Sequence, residues 1–527
     1  MKYLDTDIPI RLFQNHLNSE IYVDKSQMIA QISKNIRTGN RYLCITRPRR
    51  FGKTVNANML GSFYTKGYDT HEQFDNLAIA QTDSYKKHLN QYHVIYIDFS
   101  RMPDFCCSYQ QYMSSIVQGL REDLQKTYPE LQNHVYDKIS EMLLDTGESF
   151  VFILDEWDAV FHEEFIQVRD KSQYLKFLKA LLKDQPYVDL VYMTGILPIA
   201  KYSSGSELNM FDEYNFMNDN IYDDYFGFRE EEVKILCTQY ASMSFEEMKI
   251  WYDGYYTSDG QSLFNPRSVS KALMRGVCLN YWTETGPMNE IADCIEHNVD
   301  EVREDIVKLV AQIPVSVRLK GYSAAEQQLN TRDEILSAMV VYGFLSYYDG
   351  KVRIPNQELM DKYQEVLERD SFGEVKDIVD CSKEMLEATW NCDEQKVAAI
   401  LEKVHDREIP FLTYHDENAL SCVITLCYLY TRKDYVIERE AKSGKGYCDY
   451  LFLPKKIGKP AIILELKVGH SCEAALAQIK NQNYMQKVEK CHQILLVGIS
   501  YNRNKCYTCK IEKQERKRCG IEGSAAR

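Results

Sequence analysis

Three residues near the C-terminal end have the types and spacing for chemistry on a phosphodiester. Asp449 lies in Tyr447-Cys448-Asp449-Tyr450-Leu451-Phe452-Leu453; a Pro/Lys/Gly turn follows, then Ala461-Ile462-Ile463-Leu464-Glu465-Leu466-Lys467-Val468. Both runs are short, apolar, rich in β-branched and aromatic residues, and bounded by Pro and Gly, which predicts two strands. Side chains alternate along a strand, so Glu465 and Lys467 share one face, roughly 7 Å apart at ~3.3 Å per residue. Leu464, Leu466 and Val468 are expected on the other face, toward a core. An acid and a lysine leaving such a strand on one side must be solvated, paired or chemically used. Two carboxylates can hold a divalent cation through hard oxygens, and a lysine beside them can orient water against a phosphodiester. A surface ion pair on an edge strand would fit the same pattern.

The neighbourhood favours chemistry. A strand pattern, Tyr435-Val436-Ile437-Glu438-Arg439-Glu440, precedes the hairpin, and a helix pattern, Glu473-Ala474-Ala475-Leu476-Ala477-Gln478-Ile479, follows it. The segment resembles the core of the PD-(D/E)XK nuclease superfamily, with Asp449 as the D and Glu465-Leu466-Lys467 as the E-x-K. Gln478-Ile479 and the later Tyr484 resemble the helix after the lysine strand. The resemblance implies Asp449 and Glu465 as metal ligands, Lys467 as the group that orients water, and Gln478 as a supporting residue. Glu417, near the start of an apolar helix, sits where the superfamily often carries another acid, and His415 is a candidate phosphate contact. Both also read as helix caps.

A second constellation lies near the other end. Arg41-Tyr42-Leu43-Cys44-Ile45-Thr46 predicts a buried strand, Arg47-Pro48-Arg49-Arg50-Phe51-Gly52-Lys53-Thr54 a loop, and Val55-Asn56-Ala57-Asn58-Met59-Leu60 a helix. Strand, Gly-Lys-Thr loop and helix form a P-loop context, in which backbone N–H groups at the helix start bind phosphate. Lys53 would reach the β/γ-phosphates, and Thr54 would offer its hydroxyl to Mg²⁺. Arg47 occupies the first glycine position of the motif, and Arg47, Arg49 and Arg50 are expected to add positive charge there. About a hundred residues on, Phe150-Val151-Phe152-Ile153-Leu154-Asp155-Glu156 is an apolar strand ending in two acids, as in a Walker B element. Asp155 would hold Mg²⁺ and Glu156 would polarise the attacking water, with Asp158 next in line as a base. Asp189-Leu190-Val191-Tyr192-Met193-Thr194-Gly195 is a further strand ending in a hydroxyl, and its Thr194 resembles the γ-phosphate-sensing polar residue that AAA-like ATPases place there.

Together with Tyr22-Val23-Asp24-Lys25, Leu154-Asp155-Glu156-Trp157-Asp158, Phe226-Gly227-Phe228, Trp251-Tyr252-Asp253-Gly254-Tyr255 and Asn265-Pro266-Arg267-Ser268, these segments resemble a bacterial AAA-ATPase-like family. In that family the arginine-rich loop replaces the first P-loop glycine, and members commonly end in a PD-(D/E)XK domain.

The expected fold is α/β in four regions: an AAA-like P-loop domain over 1–225, a helical lid or winged-helix-like region over 226–380, a helical connector over 381–405, and an α/β nuclease-like domain over 406–511, with 512–527 as a tail. Within the second, Thr331-Arg332-Asp333-Glu334 predicts a capping box, and Asp349-Gly350 a hairpin turn. At 527 residues two to four domains are expected. A net charge of −14 excludes a general polyanion binder, so a nucleic-acid surface must be local. Lys442, Lys445, Lys455, Lys456 and Lys459 surround the hairpin and Lys513, Arg516, Lys517 and Arg518 follow it; solvated turns fit them equally well. Most of the 16 cysteines sit in apolar segments and read as free thiols packed as small hydrophobes. Cys506-x-x-Cys509 has zinc-like spacing, with Cys491-His492 before it and Cys519 beyond, but Gln493–Ile499 and Cys506–Ile511 read better as paired strands. There is no cleavable signal pattern and no apolar run of ~18 residues, which predicts a reduced, cytoplasmic protein away from membranes.

The expected function is ATP binding and hydrolysis coupled to Mg²⁺- or Mn²⁺-dependent phosphodiester hydrolysis, with DNA as the nucleic-acid partner. A homo-oligomer stays open. The alternatives are a nucleotide-switched signalling or nucleic-acid-binding protein whose nuclease fold does not cut, and an ATPase with no nucleic-acid role.

Overall fold

A computed structural model describes residues 1–199, 207–215, 219–282, 300–319, 331–367, 374–406, 423–443, 446–455, 458–481, 488, 491–501 and 506–515. The chain divides into two compact units, one of residues 1–299 with 316–359 and one of 300–315 with 360–527.

In the first unit five strands, β1 (Tyr42–Thr46), β2 (His93–Asp98), β3 (Phe150–Asp155), β4 (Val188–Gly195) and β5 (Asp212–Tyr214), form a wholly parallel sheet in the order β2-β3-β4-β1-β5. Every residue of β1, β3 and β4 is buried, which explains why they read as continuous apolar runs rather than alternating ones. One face, carrying Tyr42, Cys44, Phe152, Leu154 and Met193, packs with residues of the helices Tyr109–Thr127 and Val168–Leu182. From the opposite face Tyr96 donates its hydroxyl to Asn58 at 2.9 Å, on the helix Lys53–Tyr64. The C-terminal ends of β1 and β3 therefore carry the glycine-lysine-threonine loop and the acid pair side by side, across β4.

The expected helical region is mainly helical. Its capping box at Thr331 forms, with Glu334 reaching back, and its hairpin Ser346–Tyr348/Lys351–Arg353 turns at Asp349 (φ 50°) and Gly350 (φ 73°). A small antiparallel sheet of Phe228–Arg229, Ser262–Phe264 and Tyr255–Tyr256 was not expected, because strands of two or three residues carry no readable period.

The second unit carries a mixed sheet of β6 (Tyr435–Ser443), β7 (Gly446–Pro454), β8 (Ala461–Val468), β9 (Gln493–Tyr501) and β10 (Tyr507–Glu515), in that order. Only β8 and β9 run parallel, and the helix Cys472–Asn481 makes the crossover between them. The expected pairing of β9 with β10 forms. Over 381–405 run the end of the helix Glu374–Trp390 and most of the helix Glu394–Asp406, and both helices fall within this unit. Trp390 donates to the Tyr435 hydroxyl at 2.8 Å. Glu394 and Glu402 accept the backbone N–H groups of Ile511 and Tyr507 at 2.9 and 3.2 Å, so the exposed side of β10 is covered. Among the described residues no helix is long and apolar enough to cross a membrane.

Candidate functional site

Local backbone geometry sets the loop after β1. Gly52 caps the helix Lys53–Tyr64 at φ 92°, a conformation in which only glycine is unstrained, and Arg50 lies at φ 73°. The loop is held from outside the sheet. Phe51 is buried with its ring edge-to-face on Tyr255, centroids 5.0 Å apart, and its carbonyl accepts Gly227 N–H at 3.2 Å. The sequence segments around Phe226–Phe228 and Trp251–Tyr255 thus act as a clamp on the loop. The Tyr22–Lys25 segment is anchored as well: the Lys25 ammonium contacts both Glu232 oxygens at 2.7 and 2.8 Å and the Asp224 carbonyl at 2.9 Å.

Residues 49–54 line a cavity of about 690 Å³, within the range of small-molecule sites. Glu156, Asp158 and Ser100 from the strand ends also line it, as do Arg267 and Trp282. Lys53 is 4 % exposed; its ammonium donates to the Pro48 carbonyl at 3.3 Å and lies 3.8 Å from Glu156. Asp155 is wholly buried. One oxygen accepts Glu156 N–H at 3.0 Å, and the other has no hydrogen-bond partner among the described residues. Burial, then Glu156 and Asp98, push the Asp155 carboxyl up to about 8, with Thr54 and Lys53 partly offsetting the rise. A buried acid with an orphan oxygen beside a hydroxyl and an ammonium fits a Mg²⁺–phosphate group, which would restore the missing partner and favour the ionised form.

Three expectations at this end are corrected. Arg47 does not add charge at the loop: its buried guanidinium pairs with Asp219, donates to the Thr46 and Tyr214 carbonyls at 2.8 and 3.0 Å, and lies over the Phe226 ring. Thr194 does not reach the cavity. It is buried in β4, and its hydroxyl donates to the Ile45 carbonyl of β1 at 2.8 Å, so it ties two strands together. Asp158 lines the cavity but is a structural acid, since its carboxylate accepts the backbone N–H groups of Ile196 and Leu197, the latter at 2.7 Å. Arg49 and Arg50 stand where expected. Burial first, then the neighbouring Arg267 and Arg49, lower the Arg50 pKa, and Glu156 partly opposes them. Arg267 was missed as a site residue. Its signal was present, because Asn265-Pro266 is a helix-start pattern that puts the next residue in the first turn of a helix.

In the second unit the structure brings Asp449, Glu465 and Lys467 together. β7 and β8 pair with Tyr450 opposite Leu464, and one step further Asp449 accepts Leu466 N–H at 2.7 Å. Glu465 is 2 % exposed. One of its oxygens meets the Lys467 ammonium at 3.0 Å, well inside the spacing expected from the strand alone, and the other has no partner among the described residues. Burial, then the negative field of Asp449, raise the Glu465 pKa, and Lys467 counters them. Two converging acids, one with an orphan oxygen, fit a divalent cation. Leu464 and Leu466 are buried as expected, whereas Val468, at the strand end, is exposed. Gln478 is half-buried. Glu417 and His415 lie outside the described residues, as do Tyr484, Lys456, Arg516, Lys517, Arg518 and Cys519 and the side chains of Lys442 and Lys445. Among the described residues no three His, Cys, Asp or Glu side chains cluster as metal ligands. The described basic residues near the hairpin are engaged: Lys455 donates to the Arg432 carbonyl at 2.7 Å, Lys459 pairs with Asp434, and Lys513 with Glu515 at 3.1 Å.

Comparison with known proteins agrees with this geometry. Residues 8–204 match the AAA-ATPase-like family, described as predicted AAA-ATPases, and residues 415–511 match the PD-(D/E)XK nuclease superfamily. No curated protein sequence matches the chain. Among solved structures, the Walker-type ATPase of Pyrococcus abyssi aligns at 11 % identity and a TM-score of 0.34, over 64 % of this chain and 94 % of that one. A signal transduction ATPase with numerous domains and a tetratricopeptide repeat sensor, from Pyrococcus horikoshii, aligns at 13 % identity and 0.25, over 79 % of this chain and 53 % of that one. Similarity this low transfers nothing about activity. The chain joins an AAA-ATPase-like domain to a domain of the PD-(D/E)XK nuclease superfamily.

Proposed function

We propose that the cavity at the sheet's C-terminal edge binds and hydrolyses ATP with Mg²⁺, and that the second unit cleaves phosphodiester bonds of DNA with Mg²⁺ or Mn²⁺. At the first site the backbone of Gly52, Lys53 and Thr54 holds the phosphates, with Lys53, Arg49, Arg50 and Arg267 supplying the charge. Asp155 and Thr54 are the residues that would hold the cation, and Glu156, on the open side of the acid pair, accepts the proton of the attacking water. At the second site Asp449 and Glu465 are the ligands, Lys467 orients water and stabilises the developing charge, and Gln478 supports the helix side. A bound divalent cation supplies charge neutralisation and lowers the pKa of water. ATP binding or hydrolysis gates the cutting step.

The observation that carries the nuclease reading is the buried Glu465 oxygen beside Asp449 that has no partner among the described residues, because an orphan carboxylate oxygen is costly unless a ligand completes it. Calorimetric titration with Mn²⁺ tests it. Wild type binds Mn²⁺ in the second unit, Asp449→Ala and Glu465→Ala lose that binding, and Lys467→Ala retains most of it. Identical isotherms for all four proteins would remove the metal from this domain.

A further inference from the structure

Neither site uses Glu358, a carboxylate with no measurable exposure in the first turn of the helix Gln357–Leu367. Its two oxygens accept the Ser268 hydroxyl at 3.0 and 2.9 Å. One of them also accepts the backbone N–H groups of Tyr281 and Trp282, at 2.6 and 2.7 Å. The Asn280 amide donates to the Glu358 carbonyl at 3.1 Å, so this short segment is held from both side chain and backbone.

The partners of Glu358 flank the cavity. Ser268 is in the first turn of the helix Pro266–Arg275, whose cap Asn265 accepts Ser268 N–H at 3.2 Å. On that helix Pro266, Arg267 and Ser270 line the cavity, while Ser268, Val269, Ala272 and Leu273 are buried. Neighbouring residues on a helix point about 100° apart, so fixing Ser268 inward fixes Arg267 toward the cavity. The Arg267 Nε is buried without a hydrogen-bond partner among the described residues. Trp282, the other group tied to Glu358, lines the same cavity.

We infer that Glu358 is a positioning residue for nucleotide binding. Its carboxylate sets the rotation of the helix that presents Arg267 to the phosphates and holds the backbone that carries Trp282 over the cavity. It touches no ligand; its effect on binding passes through Arg267 and Trp282. The inference rests on the cavity holding a nucleotide.

Titration of the full chain with ATP and Mg²⁺ by calorimetry tests it. Glu358→Ala weakens binding by about tenfold, and Glu358→Gln, which keeps an acceptor for the two N–H groups, restores affinity to within about threefold of wild type. Because Glu358 acts partly through Arg267, the loss in Arg267→Ala combined with Glu358→Ala is smaller than the sum of the two single losses, an outcome that a general loss of stability would not produce. Wild-type affinity in Glu358→Ala, or additive losses in the double variant, overturns the proposal. If Glu358→Ala does not fold by circular dichroism, Ser268→Ala takes its place: weaker binding supports the role, and unchanged binding overturns it. Lys53→Ala separates the two levels. If it binds ATP as wild type does, the nucleotide reading falls; if it loses binding while the Glu358 variants bind normally, only the positioning role falls.

Discussion

Asp155→Asn should make the nucleotide-free protein more stable while removing its Mg²⁺–ATP chemistry. The sign follows from the raised carboxyl. In the unfolded chain Asp155 ionises near its ordinary 3.8, whereas the fold holds the proton up to about 8. Folding therefore takes up a proton between those values, and raising the pH through that window opposes folding. At pH 7 the gap of about three pH units, at about 1.4 kcal/mol per unit, costs the fold about 4 kcal/mol; at pH 5 it costs about 2 kcal/mol. Asparagine keeps the shape and does not titrate. Urea unfolding of nucleotide-free wild type and variant at pH 5, 6 and 7 reads the difference, which should widen as pH rises. Calorimetry in buffers of different ionisation enthalpy reads the other half. Wild type should release close to one proton on binding Mg²⁺–ATP at pH 7, and the variant none. A stability difference independent of pH, or a variant less stable than wild type at pH 7, would refute the claim that this carboxyl is held protonated for a ligand to ionise.

Lys53→Ala should abolish ATP hydrolysis without lowering the melting temperature, since among the described residues its ammonium makes a carbonyl contact at 3.3 Å and an ion pair at 3.8 Å; turnover equal to wild type would sink the assignment. Glu156→Gln should bind ATP with near wild-type affinity and stall hydrolysis by about 100-fold or more, read by phosphate release; normal release would place the base elsewhere. Gly254→Ala should destabilise the first unit by more than about 3 kcal/mol, because Gly254 sits at φ 100° and an added Cβ would collide with the Pro355 carbonyl; wild-type thermal unfolding would contradict that packing.

What the sequence made legible follows from how local each signal is. β1, β3, β4 and β8 were readable because strands buried on both faces show as unbroken apolar runs, and the Gly52-Lys53-Thr54 loop because its chemistry is contiguous. The pairing of Asp449 with Glu465 and Lys467 was readable because one short turn joins their strands. Arg47 and Thr194 were misread for the same reason as each other. Their residue types suited phosphate, but a long-range partner decides where a side chain goes. Asp219 lies 172 residues from Arg47 and Ile45 149 residues from Thr194. Glu358 was invisible in the sequence because its role depends on Ser268, 90 residues away, and on the backbone of two residues no motif marks. The 381–405 connector was read apart from the sheet because its helices show their own period, while the Glu394 and Glu402 contacts that dock the helix Glu394–Asp406 on β10 leave no pattern in sequence.

Incubation of the full-length protein with supercoiled DNA and Mn²⁺, with and without ATP, beside Glu465→Ala, tests most directly whether this chain is a nuclease coupled to an ATPase. Wild type should nick or linearise the DNA in a metal-dependent reaction whose rate changes with ATP. Glu465→Ala should leave the DNA intact while hydrolysing ATP at the wild-type rate. DNA left uncut by wild type under every metal and nucleotide condition, yet retarded by it in a gel, would contradict cleavage and identify the second unit as a binding domain.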